Sequence, residues 1–253
     1  MQRNSLRLDA GQAWTDAMAM LKAAPDVLLT VAGFFIMLPM LVLLMLHWPV
    51  VAADSSTTAL QSWDNWTSAN SPWLLLIALI GAFGRQTILN LILNGDRPTL
   101  AEAMQASVRN YLWFYLTALA VSLIQSGGFF LFVLPGCYLM GRLFLAETVF
   151  VGEGIINPLR AMARSIELTR ANGWRIFAVM AIIAAGAFIF MLAVSSVVGV
   201  ISALIGGAGL ALFLAALVVS SVFTGVYLIL LLVSVAAWRQ LAQNGNVRRS
   251  LSR

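Results

Sequence analysis

Long apolar runs alternating with short polar ones dominate the chain. The first runs from Asp26 to about Val50 and ends on Trp48 and Pro49, residue types that favour a membrane–water interface. The second covers Trp73 to Leu93, after a polar loop carrying Trp63 and Trp66. Two longer runs follow, 110–151 and 176–237. A helix rises about 1.5 Å per residue and a hydrocarbon core is about 30 Å thick, so about 20 residues make one crossing. As one helix, 110–151 would reach about 63 Å, twice that thickness. Its weak point is Gln125-Ser126-Gly127-Gly128, where the pattern predicts a turn. Gly206-Gly207 and Gly209 divide the last run in the same way. Six transmembrane helices result, at about 26–50, 73–93, 110–127, 129–151, 176–200 and 210–237. Pro135-Gly136 falls inside the fourth and predicts a kink there.

Three of the polar segments start alike. Asp9-Ala-Gly-Gln12 and Thr99-Leu-Ala-Glu102 resemble capping boxes, and Asn157-Pro158 reads as an N-cap with proline at the first helical position. Apolar residues then recur on one face: Trp14, Ala17, Met18 and Leu21; Leu100, Met104 and Val108; Leu159, Met162 and Ile166. Charged residues such as Asp16, Glu102, Arg160, Arg164 and Glu167 lie opposite. That is the pattern of a short helix in the interface plane, and equally of one packed on the ends of a bundle. Gly84-Arg85 matches Gly141-Arg142, and Ala103-Met104 with Ser107-Val108 matches Ala161-Met162 with Ser165-Ile166. The predicted fold is therefore an all-α membrane protein, one domain over 1–253. Its six transmembrane helices form three hairpins, each preceded by a short cytoplasmic amphipathic helix. Internal repeats of this kind recur in transporters, but repetition alone does not imply transport.

Composition agrees with a lipid solvent. The chain is 61% hydrophobic and 10% charged, with a mean hydropathy of +0.91, against about 25% charged residues in a soluble domain. No polar stretch between the crossings is long enough for a separate soluble domain. The net charge of +5 is distributed as orientation demands. Arg3, Arg7 and Lys22 precede the first helix; Arg97 and Arg109 follow the second; Arg160, Arg164, Arg170 and Arg175 follow the fourth; Arg239, Arg248, Arg249 and Arg253 follow the sixth. The loops on the other side carry no lysine or arginine, so both termini are expected in the cytoplasm. With no basic stripe or RNA-binding motif, nucleic acid is not an expected partner. The charged start of the chain is no signal-peptide core, and the first apolar run reads as an uncleaved helix.

Catalytic motifs are missing: no Gly-x-Ser-x-Gly, His-Glu-x-x-His, Walker loop or Gly-x-Gly-x-x-Gly occurs. His47, the only histidine, stands beside Trp48-Pro49 at a helix end, and Cys137 lies alone in an apolar run. Neither a metal nor a cofactor is expected, nor an enzyme. The candidate chemistry is charge inside the apolar runs. Arg85 and Arg142 each lie about 13 Å from the inner ends of helices two and four, and Glu147 is a turn or so nearer that end. Gln86, Asn90 and Asn94 form an i, i+4 stripe on helix two. An unpaired charge facing lipid at that depth costs at least a few kcal/mol, so Arg85, Gln86, Asn90, Arg142 and Glu147 are expected to converge in the inner half of the bundle. One reading is an Arg–Glu–amide network locking helices two and four. A second is a polar cavity whose two guanidinium groups bind an anion such as a lipid phosphate. A third is snorkelling to the inner interface.

The stretch from Leu134-Pro-Gly-Cys-Tyr-Leu-Met-Gly-Arg-Leu-Phe-Leu-Ala146, through Glu153-Gly154, to Pro158-Leu-Arg-Ala-Met-Ala-Arg-Ser165-Ile-Glu-Leu-Thr-Arg-Ala-Asn-Gly-Trp174-Arg resembles a known membrane domain. It is similar to the one found with some bacterial glycerophosphoryl diester phosphodiesterases and to YciC-type inner-membrane proteins. The resemblance implies a bacterial inner-membrane helical bundle and no hydrolysis, since the phosphodiesterase of that family is a separate soluble domain. The expected role is a non-catalytic one in envelope or lipid homeostasis, or beside a membrane-protein partner, with the bilayer or an anionic phospholipid as ligand. The alternative is a transporter or channel for an anionic or amphiphilic solute.

Overall fold

The computed structural model describes residues 7–48, 59–95, 98–205 and 208–251. Among these no strand occurs, and six helical segments are long and apolar enough to cross a membrane. The Gly206-Gly207 turn, the end of the first run at Pro49-Val50, the start of the loop after it, and Arg3, Arg97 and Arg253 lie outside the described residues.

Helix α1 (Ala10–Ala23) starts where Asp9 accepts the Gln12 N–H, and it buries Ala13 and Ala17. The first crossing is α2 (Pro25–Ala32), a π-turn (Gly33–Met37) and α3 (Leu38–Leu46). Pro39 has no N–H to offer the carbonyl four residues back. The chain widens just before it, and the Leu38 N–H reaches Gly33 O instead. Short α4 (Ala59–Ala69) leads into the second crossing, α5 (Ser71–Leu93). The fourth crossing is α7 (Val133–Leu143) and α8 (Ala146–Gly152). Helix α9 (Pro158–Leu168) begins at Asn157, whose side chain accepts the N–H groups of Leu159 and Arg160. The fifth and sixth crossings are α10 (Gly173–Ile205) and α11 (Ala208–Leu251).

The third crossing departs from the sequence-based expectation. Thr99 and Glu102 form a capping box, but the helix they open, α6, runs from Leu100 to Leu131 without interruption. The segment expected as a separate amphipathic helix is the first part of a crossing. Gln125 to Gly128 stay helical, and the chain turns at Phe132, whose backbone is extended. In a hydrocarbon solvent an unmade backbone hydrogen bond costs several kcal/mol, which outweighs the weak helix propensity of two glycines. The expected kink at Pro135-Gly136 is absent for a related reason. Pro135 is the third residue of α7, in the first turn, where its missing N–H is unsatisfied in any helix. The fourth crossing breaks instead at Phe144-Leu145.

The core lies between α5, α6, α8 and α11, around Ile88, Leu89, Phe114, Val149 and Leu232, all fully buried. Crossing five is the outlier: only 6% of its apolar window is buried, against 50% for crossing four, so α10 is a peripheral helix. Apolar side chains such as Phe130, 93% exposed, cover the bundle's outside.

Candidate functional site

Gly84-Arg85 sits where α5 crosses the π-turn of the first crossing. A Cβ on Gly84 would fall 2.5 Å from the Phe35 Cβ, so only glycine permits this approach. The neighbouring Arg85 is turned into the bundle. Its Nε donates to Glu147 Oε2 at 2.9 Å and its Nη2 to Oε1 at 3.1 Å. Both side chains are largely buried, at 11% and 21% exposure. The Tyr227 ring of α11 lies 5.4 Å from the guanidinium carbon, near enough for a cation–π contact. The break at Phe144-Leu145 places Glu147 in the first turn of α8, where the positive end of the helix favours a carboxylate. Helices two, four and six thus meet at one two-pronged ion pair.

Two cavities adjoin the pair. One of about 270 Å³ is lined by Arg85, Glu147, Ser122, Gln125, Tyr227 and Ser234. The other, about 420 Å³, runs from Arg85 and Tyr227 past Gly81 and Tyr115 to Trp63 and Trp66. Those two rings stack at 5.3 Å, and the Trp66 Nε1 donates to His47 O, tying α4 to the end of the first crossing.

The remaining expected site residues lie elsewhere. Arg142 does not join Arg85 and Glu147. It is 7% exposed, with its guanidinium 5.6 Å from the Tyr138 ring and its Nη1 without a hydrogen-bond partner. Its own carbonyl accepts the hydroxyls of Ser165 and Thr169. Gln86 and Asn90 also leave the pair. They line a separate cavity of about 260 Å³ with Asn94, Arg109 and Asn110. There the Gln86 Oε1 is buried with no partner, while Asn90 Nδ2 donates to Ser107 Oγ. The single expected site is therefore three: a closed ion pair, an amide-lined cavity and a lone buried arginine.

Tyr227 joins the site without being marked by the charge pattern; its one sequence signal is that it is the only tyrosine in crossing six. Gln125, read as a turn residue, is a wall of the cavity beside the pair. A second ion-pair group forms on α9, where Arg164 Nε contacts Glu153 at 2.9 Å and Nη1 contacts Glu167. Burial opposes the Arg164 charge, and the two carboxylates outweigh it, so its pKa lies above the ordinary arginine value. Trp238 Nε1 donates to the same Glu153 and so connects crossing six to α9. No group of three metal-ligating side chains occurs among the described residues. Comparison of the chain with family models, curated proteins and solved structures gives no match.

Proposed function

We propose that the chain is a non-catalytic multi-pass protein of a bacterial inner membrane, acting in envelope or lipid homeostasis or beside a membrane partner, with both termini cytoplasmic. The observation that carries this reading is the closed geometry of Arg85 and Glu147. The guanidinium spends two donors on one carboxylate across helices two and four, so the pair is neutral and internally satisfied, as a structural tie would be. The basic residues grouped at one set of helix ends support the orientation. The resemblance of 134–175 to the phosphodiesterase-associated membrane domain belongs to the same proposal. So does an internal repeat in which each Gly-Arg helix receives a buried serine: Ser107 against Thr87 and Asn90, Ser165 against Arg142 O.

One observation favours a second reading, passage of an anionic or amphiphilic solute. Arg85 and Tyr227 belong to the walls of both cavities flanking the pair. Flux measurement decides between the two. Proteoliposomes carrying the wild type should leak chloride and phosphate no faster than protein-free vesicles. Flux that disappears in the Arg85→Leu, Glu147→Leu double variant would replace the structural reading with transport.

A further inference from the structure

The least buried crossing carries a long apolar groove. A channel of about 790 Å³ runs between α10 and α11 and ends under α1, with Trp14 at its rim. Its lining is almost wholly apolar, from Val179 and Ile183 to Phe190 on α10. That length of helix rises about 16 Å, the depth of one leaflet's hydrocarbon. Gly186 and Gly225 face each other's helix across it, and a Cβ added at either would meet nothing within 4 Å. The open space is therefore a consequence of two missing side chains.

The α1 end of this groove is cationic. A second cavity, lined by Arg7, Leu8, Asp9 and Arg175, shares Ala10, Gly11, Val179 and Ile182 with the groove, so the two spaces adjoin across those four residues. The backbone carrying Arg7 is fixed in place. Leu8 N donates to Asn172 Oδ1 at 2.9 Å, Asp9 N to Gln240 Oε1 at 3.2 Å, and Arg175 Nη1 to Leu8 O at 3.4 Å. Neither Arg7 nor Arg175 makes an ion pair among the described residues. The one acid in the lining, Asp9, accepts the Gln12 N–H at the start of α1. Two guanidinium groups against one carboxylate leave the end net positive.

We propose that this groove binds one anionic phospholipid, its phosphate at Arg7 and Arg175 and an acyl chain along Gly186 and Gly225. The planar guanidinium fork matches phosphate oxygens. An apolar slot one leaflet deep matches the chain, and the net positive end selects an anionic head over a zwitterionic one. The orientation proposed above would put this lipid in the inner leaflet; the site itself does not rest on that orientation.

The test uses the purified protein in neutral detergent, where orientation plays no part. Native mass spectrometry and thermal unfolding are followed with phosphatidylglycerol, with phosphatidylcholine of the same chains, and with inorganic phosphate. Phosphatidylglycerol should stay bound and raise the melting temperature, while the other two should not. Arg7→Gln with Arg175→Gln should weaken phosphatidylglycerol binding by about thirtyfold. Gly186→Leu with Gly225→Leu fills the groove, keeps both cations, and should lose the lipid without lowering the melting temperature of the lipid-free protein. Because this second variant spares the tether from Arg175 to Leu8, it decides the matter even if the arginine variant fails to fold. Equal retention of phosphatidylcholine would overturn the proposal, as would stabilisation by phosphate alone or wild-type lipid binding in the groove-filled variant.

Discussion

Arg85 and Arg142 each follow a glycine at a helix crossing, yet they end in opposite situations. Gly84 lets α5 close on Phe35; Gly141 lets α7 close on the start of α10, where its Cβ would overlap Gly173 O. The glycines do the same job in both places. The arginines do not: among the described residues Arg85 meets a carboxylate and an aromatic ring, Arg142 an aromatic ring and no carboxylate. A matched sequence pair therefore conserves the packing device and leaves the charge free to diverge. The difference sets which variants should hurt. Where a buried charge has a partner, removing either member strands the other; where it has none, nothing is stranded.

The largest effect is expected at the ion pair. Arg85→Leu leaves Glu147 buried opposite an apolar side chain, and Glu147→Leu does the reverse. Each should cost about 3–5 kcal/mol, read as a fall in the melting temperature of the purified protein. The double variant should recover most of that loss, since an apolar contact replaces an ion pair whose desolvation nearly cancels its attraction. Additive single losses would show that the two charges act on separate partners, and the structural reading of the pair would go with them.

Much of this was legible in the sequence, and the illegible part has a geometric cause. The apolar runs with their interfacial tryptophans locate the crossings, and the depths of Arg85, Arg142 and Glu147 place all three in the inner half of the bundle. Direction around the helix was the missing coordinate. Successive residues turn by about 100°, so Gln86 faces about 100° away from Arg85, and Arg142 about 140° away from Glu147 on a regular helix. Depth alone merged the residues into one site, whereas rotation separates them into three. The break at Phe144-Leu145 adds a re-aiming of the chain that no local signal announces, because neither residue is a helix breaker. The third crossing departs from its sequence signal in the opposite sense: Gly127-Gly128 is a breaker by propensity, and the membrane solvent overrules it.

The two buried serines offer an intermediate comparison. Ser107 is the acceptor for Asn90 Nδ2 at 2.9 Å and for Thr87 at 3.2 Å. Ser107→Ala therefore orphans a buried amide donor, and a loss of about 1–3 kcal/mol is expected. Ser165 donates to Arg142 O, but Thr169 donates to the same oxygen at 3.1 Å. Ser165→Ala leaves that carbonyl within reach of the Thr169 hydroxyl, which it shares with Ser165 O at 2.7 Å, and strands no buried amide donor, so its cost should stay near 0.5–1 kcal/mol. Equal losses at the two positions would mean that the hydroxyls serve packing alone.

Arg142 supplies the smallest effect and the sharpest contrast with Arg85. Its guanidinium makes no ion pair or side-chain hydrogen bond among the described residues, and its Nη1 is orphaned, so the charge is held by the Tyr138 ring alone. Arg142→Met keeps an unbranched side chain beside Gly173 and removes both the orphaned donor and the cation–π contact. A contact of that kind contributes about 0.5–2 kcal/mol, and an unsatisfied buried donor costs about 1–3 kcal/mol. The two terms oppose each other, and the backbone carbonyl that binds Ser165 and Thr169 is untouched. The melting temperature should accordingly shift little, in either direction, where Arg85→Leu lowers it steeply. A loss at Arg142→Met as large as at Arg85→Leu would show that Arg142 has an anionic partner after all. A rise in melting temperature on adding an anionic lipid or phosphate that is smaller in Arg142→Met than in the wild type would then identify that partner as a ligand and not a side chain.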